Sequence, residues 1–171
     1  TDQDMGNYER FMNRDLTSSD YMTGGMVYLE VIMRERALKY RGKCVDAVPH
    51  IRDEIVRRIQ ESGEVAKSDI TIVEIGGTVG DYQSAMFYEA ARYLRITNPG
   101  NVLFVMVTYL PIPNKIGEMK SKPTQTAVRE LAQAKLGLSM VRLSNAVETF
   151  TTLQMAGHAQ AIGWLERYLA L

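Results

Sequence analysis

The chain has 171 residues, and 20 Lys and Arg offset 20 Asp and Glu to leave a formal net charge of zero. That balance gives no whole-chain electrostatic argument for nucleic acid or a polyanionic surface, while the length suits a single domain that buries roughly 68–70% of its unfolded surface. Apolar residues make up 46%, yet the longest unbroken apolar run is only Val102 to Val107, whereas a bilayer span takes roughly 20 residues.

Residues 1–22 are polar and turn-rich, with Asp2, Asp4, Asp15, Thr17, Ser18, Ser19 and Asp20, and read as mostly loop. From Met26 to about Lys39 the pattern predicts a helix. Met26, Leu29 and Met33 share one face, and Val27, Val31 and Leu38 widen the apolar arc, so much of this helix is expected to be buried. The cations at its end, Arg34, Arg36, Lys39, Arg41 and Lys43, complement the helix dipole. Pro49 opens a second helix carrying Ile51, Ile55 and Ile59 at four-residue spacing, with Gly63 as its stop.

Asp69 to Ile75 (DITIVEI) is rich in β-branched residues and reads as a buried strand running into Gly76-Gly77-Thr78-Val79-Gly80-Asp81. A helix near Tyr82–Ile96 follows, stopped by Asn98-Pro99-Gly100. Val102 to Leu110 is the next strand, too apolar for a sheet with one wet face. Pro111 and Pro113 break it, Pro123 sits in the first turn of another helix, and Gly137 ends that helix. Leu138 to Leu143 fits a third strand and Ser144 to Leu171 a helix. This alternation predicts an α/β fold with a parallel sheet and flanking helices. No repeat or low-complexity stretch interrupts it.

Cys44 is the single cysteine, and His50 and His158 lie far apart, so there is no disulfide framework, thiolate cluster or local zinc motif in the sequence. No signal peptide opens the chain, and a cytoplasmic, reducing compartment is expected.

Ligands of open parallel sheets bind outside the carboxyl ends of the strands, and two candidate stretches lie there. In Val73-Glu74-Ile75-Gly76-Gly77-Thr78-Val79-Gly80-Asp81, a carboxylate ends an apolar strand and glycines follow. Glu74 is placed to hold a hard cation such as Mg²⁺, and the glycine amides could meet anionic oxygens, although such glycines also serve as simple turn residues. In Gly117-Glu118-Met119-Lys120-Ser121-Lys122-Pro123-Thr124-Gln125, two lysines precede a helix N-terminus whose unpaired N–H groups favour negative charge. That pattern makes a phosphate cradle, with Thr124 and Gln125 able to contact a sugar or base, or else a solvated lysine-bearing loop. Asp4 in the acidic N-terminal stretch would complete a Mg²⁺ site if it folds back beside Glu74.

Together these stretches resemble the synthetase (amidoligase) domain of the CTP synthase family. TDQDMGNYERF is similar to that family's TDxDxGHYERF segment, MTGGMVY to TTGxIY, VDAVPHIRDEI to VxVIPHIT, VEIGGTVGD to its hallmark glycine segment, and GEMKSKPTQ to its GExKTKPTQ nucleotide loop. The five motifs, in order over residues 1–128, resemble the central part of that domain. The resemblance implies a P-loop NTPase-like fold, assembly into an oligomer, and ATP-dependent amination of UTP to CTP with ammonia from a glutaminase domain. It implies Asp4 and Glu74 as Mg²⁺ carboxylates, and Asp81, Lys120, Lys122, Thr124 and Gln125 as members of the UTP or CTP pocket.

Departures accompany the match. The family's P-loop and its lysine lie ahead of the TDxD segment, and no G-x-x-x-x-G-K-[ST] pattern occurs in this chain. The glutaminase nucleophile is also missing, Asn7 replaces a family His, and Tyr82-Gln83 replaces Ile-Glu. Residue 1 is Thr, which means either a removed initiator Met or a piece of something longer. The expectation is one partial domain over 1–171, family-like over 1–137 and divergent over 138–171, with an incomplete ATP site and no turnover by itself. A first strand missing from the sheet would leave an edge that natural proteins cover, so a second copy, another chain or the protein's own missing amino-terminal portion is the expected partner. The alternative is a catalytically silent nucleotide-binding or structural subunit of a larger assembly.

Overall fold

The structure, a computed structural model, describes residues 3–110, 120–133 and 140–144. Its contacts divide the chain into two compact units, Thr1–Glu74 and Ile75–Leu171. Among the described residues the secondary structure is mostly helical.

The first unit opens on α1 (Gln3–Met12), where the sequence pattern predicts loop. Asp4 in its first turn and Arg10 in its last complement the dipole, which favours helix despite the polar composition. After α1 the chain turns back on itself: Glu9 accepts the Leu16 N–H through Oε1 at 3.0 Å. Asp20 takes the Thr17 N–H at 2.7 Å and Arg14 Nη2 at 2.8 Å.

Next comes α2 (Gly24–Arg36), capped by Thr23, whose hydroxyl accepts the Met26 N–H at 3.2 Å. Its buried positions are Val27 and Val31, four residues apart on one stripe. The wide buried arc expected from the sequence is not present: Leu29, Met33 and Leu38 are exposed. A π-type turn over Ala47–Ile51, with Val48 extended inside it, leads into α3 (Arg52–Ala66). Helix α2 packs against both that turn and α3, and Ile51, Ile55 and Val56 join Val27 and Val31 as this unit's buried apolar residues.

Gly63 does not stop α3. It lies inside the helix, which runs on to Ala66 and ends where Lys67 turns left-handed (φ +50). The glycine answers a close approach instead, because a Cβ there would stand 2.8 Å from Thr71 Oγ1. The predicted strand at Asp69–Ile75 is likewise absent, since residues 71–76 are irregular and Ile72 is 82% exposed. β-Branched composition expresses itself as strand only where a neighbour takes up the backbone hydrogen bonds, and no described strand pairs with this segment.

The second unit carries α4 (Ala85–Thr97), entered through a 3₁₀ turn at Tyr82–Ser84 and ended at Asn98, whose N–H and side-chain amide both bond to the Leu94 carbonyl. β1 (Val105–Tyr109) and β2 (Met140–Ser144) pair in parallel, Val105 opposite Met140 and Tyr109 opposite Ser144. Between them in sequence is α5 (Lys122–Gln133).

β1 is shorter than the 102–110 expectation and has a wet face. Met106 and Leu110 are buried while the alternate Val107 is 69% exposed. Met106 and Leu131 of α5 form the core, with Val79, Tyr88, Phe104, Ala127 and Val128 packed around them. Arg95 covers the Phe104 ring at 5.2 Å. The Pro111–Pro113 break, the stop at Gly137 and the helix expected beyond Ser144 lie outside the described residues. No helix among the described residues is long and apolar enough to cross a membrane.

Candidate functional site

The glycine segment and the lysine loop meet in the second unit. A cavity of about 700 Å³ has Thr78 and Val79 of the glycine segment on one side. Lys120, Ser121, Lys122 and Pro123 of the loop and first helical turn line the other, with Thr126 and Ala127 one turn farther along α5.

Residues 76–84 form a closed turn. Asp81 Oδ2 accepts the Thr78 N–H at 3.0 Å, and the Asp81 N–H returns to the Thr78 carbonyl at 3.1 Å. Buried Ser84 donates its hydroxyl to the Gly76 carbonyl at 3.0 Å and its N–H to the Asp81 carbonyl at 3.1 Å. Gly77 sits at φ +86, and a Cβ there would come within 3.2 Å of Asp81 Oδ2, so both conformation and space call for glycine. The turn is therefore self-satisfied. The Thr78 amide, between the glycines, is occupied by Asp81. Burial pushes the Tyr88 hydroxyl pKa upward, and the nearby Asp81 charge adds to that shift.

On the helix side, Gln125 closes the first turn of α5, its N–H reaching the Ser121 carbonyl at 3.0 Å and its Nε2 donating to Ser121 Oγ at 3.0 Å. Thr124 is buried, its hydroxyl 2.9 Å from that of Thr108 in β1. Lys120 and Lys122 are exposed at the end of the helix where the amide dipoles point their positive end. Two ammonium groups and a helix N-terminus around one concavity favour a multiply charged anion.

Of the pyrimidine-pocket residues expected from sequence, Lys120 and Lys122 line this cavity, whereas Asp81, Thr124 and Gln125 stand behind it as turn-closing and helix-anchoring groups. Thr78, Val79, Ser121 and Thr126 line it without having been singled out; their adjacency to the glycines and lysines was the only signal available. Asp4 lies exposed in the first turn of α1, and Glu74 is exposed just before the glycines. Among the described residues, no three His, Cys, Asp or Glu side chains gather as a metal cluster.

The family model for the CTP synthase N-terminus matches residues 1–160. The chain is 52% identical over 132 residues to a CTP synthase of Pyrococcus horikoshii, covering 76% of this chain and 24% of that protein. A CTP synthase of Phytoplasma australiense is 48% identical over 132 residues (77% and 24%), and one of Methanothrix thermoacetophila is 46% identical over 140 residues (82% and 26%). A Gly-rich turn thus faces a lysine loop across one cavity, and the chain belongs to the CTP synthase N-terminus family. The match corrects the reading from motifs in one respect: it falls on the family's N-terminal synthetase region rather than a central part. The chain spans about a quarter of the length of the curated relatives it matches.

Proposed function

We propose that this chain is part of the synthetase region of a CTP synthase, an enzyme that makes CTP from UTP, ATP and ammonia or glutamine, and that its cavity receives the phosphates of UTP or CTP. The observation that carries the reading is the convergence of Thr78 and Val79 with Lys120 and Lys122 on one concavity at the N-terminus of α5. The lysines supply charge, the helix end supplies an aligned dipole, and the Asp81-closed turn supplies a wall that need not reorganise when the anion arrives. Gln125, held by Ser121, would exchange that partner for a base or ribose.

The fold that goes with this reading is a P-loop NTPase-like parallel sheet with flanking helices, of which 1–171 is one partial domain. Mg²⁺ belongs to it as the ion that neutralises the nucleotide phosphates. Asp4 and Glu74, exposed carboxylates of the hard-oxygen type that Mg²⁺ takes, are the residues that would hold it.

A second reading, a catalytically silent nucleotide-binding or structural subunit, draws on Gln83, an exposed amide where the family carries a carboxylate.

Calorimetric titration with UTP, CTP and ATP, with and without Mg²⁺, tests the cavity. UTP or CTP should bind, and Lys120→Ala/Lys122→Ala should weaken that binding by about 10- to 100-fold, the scale of losing charge-assisted contacts. A folded wild-type sample that binds none of the three would remove the nucleotide reading. ATP-dependent conversion of UTP to CTP by the protein carrying these residues would separate the enzyme from the silent subunit.

A further inference from the structure

We infer that Thr108 is a positioning residue for this cavity: through the hydroxyl of Thr124 it sets where the first turn of α5, and with it Lys120 and Lys122, stands. The inference rests on the nucleotide reading of the cavity. Met106 and Thr108 alternate along β1 onto one face, and Met106, with Leu110 just past the strand's end, is buried. Met106 packs with Leu131, Ala127 and Val128 of α5, so the contact between strand and helix is built mainly from apolar groups. Apolar contact is non-directional and holds the helix to the strand without choosing its position along it.

The Thr108–Thr124 pair, Oγ1 to Oγ1 at 2.9 Å, is directional. Thr124 belongs to the first turn, two residues beyond Lys122 and four beyond Lys120, and is 8% exposed. A buried hydroxyl deprived of its partner is costly, so sliding or rotating the helix against β1 is resisted at the end that bears the lysines. Thr108 itself does not line the cavity, and its effect on a ligand must pass through Thr124.

The test titrates the full chain with UTP and with CTP in the presence of Mg²⁺, using wild type, Thr108→Val, Thr108→Ser, Thr124→Val and the Thr108→Val/Thr124→Val double variant, with an unfolding midpoint for each. Each valine variant should weaken nucleotide binding by about 5- to 10-fold, the size of one buried hydrogen bond. Thr108→Ser, which keeps the hydroxyl, should stay within about twofold of wild type, and the double variant should lose no more than the weaker-binding single, as expected of two halves of one interaction. If Thr108→Val fails to fold, Thr124→Val carries the same expectation from the helix side. Valine variants that lower the midpoint but bind as wild type does would make the pair structural only and overturn the inference while leaving the nucleotide reading intact. Wild type that binds neither nucleotide would overturn both.

Discussion

Arg34 Nη1 lies 2.9 Å from Glu54 Oε2, joining α2 to a carboxylate whose side chain is 0% exposed. Arg57 grips both oxygens of that carboxylate at 2.8 Å and Arg58 adds Nε at 2.7 Å, so one buried negative charge is held by three guanidinium groups. Removing the charge takes away the carboxylate these three cations share, leaving Arg34 paired with Glu30 and Arg57 with Glu61. Glu54→Gln should therefore cost about 3 kcal/mol of stability. Arg34→Ala, which leaves Arg57 and Arg58 in place, should cost about 1 kcal/mol. Urea unfolding checks both, and a Glu54→Gln midpoint equal to wild type would mean that the network adds nothing to folding.

The same carboxylate makes stability depend on pH in a known direction. Burial pushes the Glu54 pKa up, but the hydrogen bonds from Arg57 and Arg58 and the charges of Arg34 and Arg57 outweigh it and hold it below the ordinary range. Asp20 follows suit: burial raises its pKa, while the Thr17 backbone and hydroxyl and the Arg14 guanidinium bring it down. A carboxyl group depressed in the folded state contributes stability above its unfolded pKa, about 4, and loses it as pH falls through the lower folded value. Unfolding midpoints should thus hold between about pH 5 and 7 and decline below about pH 4, with a shallower decline in Glu54→Gln. Equal acid limbs in the two proteins would assign the decline to other groups.

Gly63 and Thr71 make a pair whose conflict can be measured. Inside α3, Gly→Ala ordinarily stabilises by about 1 kcal/mol, but here the new methyl meets Thr71 Oγ1, which is hydrogen-bonded to Ser68 Oγ at 3.1 Å. Gly63→Ala should be neutral or destabilising in wild type and stabilising by about 0.5–1 kcal/mol in a Thr71→Ala background. Equal effects in both backgrounds would show that the approach costs nothing.

At the glycine turn, conformation and charge can be separated. Gly77→Ala forces a methyl-bearing residue into a left-handed position and toward Asp81, and should cost about 1–2 kcal/mol and weaken nucleotide binding with it. Asp81→Asn retains an oxygen for the Thr78 N–H and should leave the unfolding midpoint within about 0.5 kcal/mol of wild type, whereas Asp81→Ala should not. An Asp81→Ala protein as stable as wild type would mean that the turn closes without its carboxylate.

Much of this protein was legible in the sequence because the signals were local. The apolar positions from Met26 onward, the isoleucines at four-residue spacing after Pro49, and Asn98-Pro99-Gly100 after α4 each act within a few residues, and the helices they announce are present. The five motifs pointed to the family, and the two lysines ahead of Pro123 line the cavity. Composition misled at α1, where helix-favouring charges at the two ends outweighed a polar appearance.

What the tertiary structure alone decided is which groups face which. The irregular course of residues 71–76 depends on whether another strand is alongside, a property of the partner rather than of β-branched side chains. That Gly63 serves a close approach instead of a helix end depends on Thr71, eight residues on. The roles of Asp81, Thr124 and Gln125 as supports behind the cavity depend on Thr78, Thr108 and Ser121. A sequence records the chemistry each side chain carries, but a hydroxyl or carboxylate is spent on whichever partner the fold brings within about 3 Å, and that choice is made only when distant segments pack.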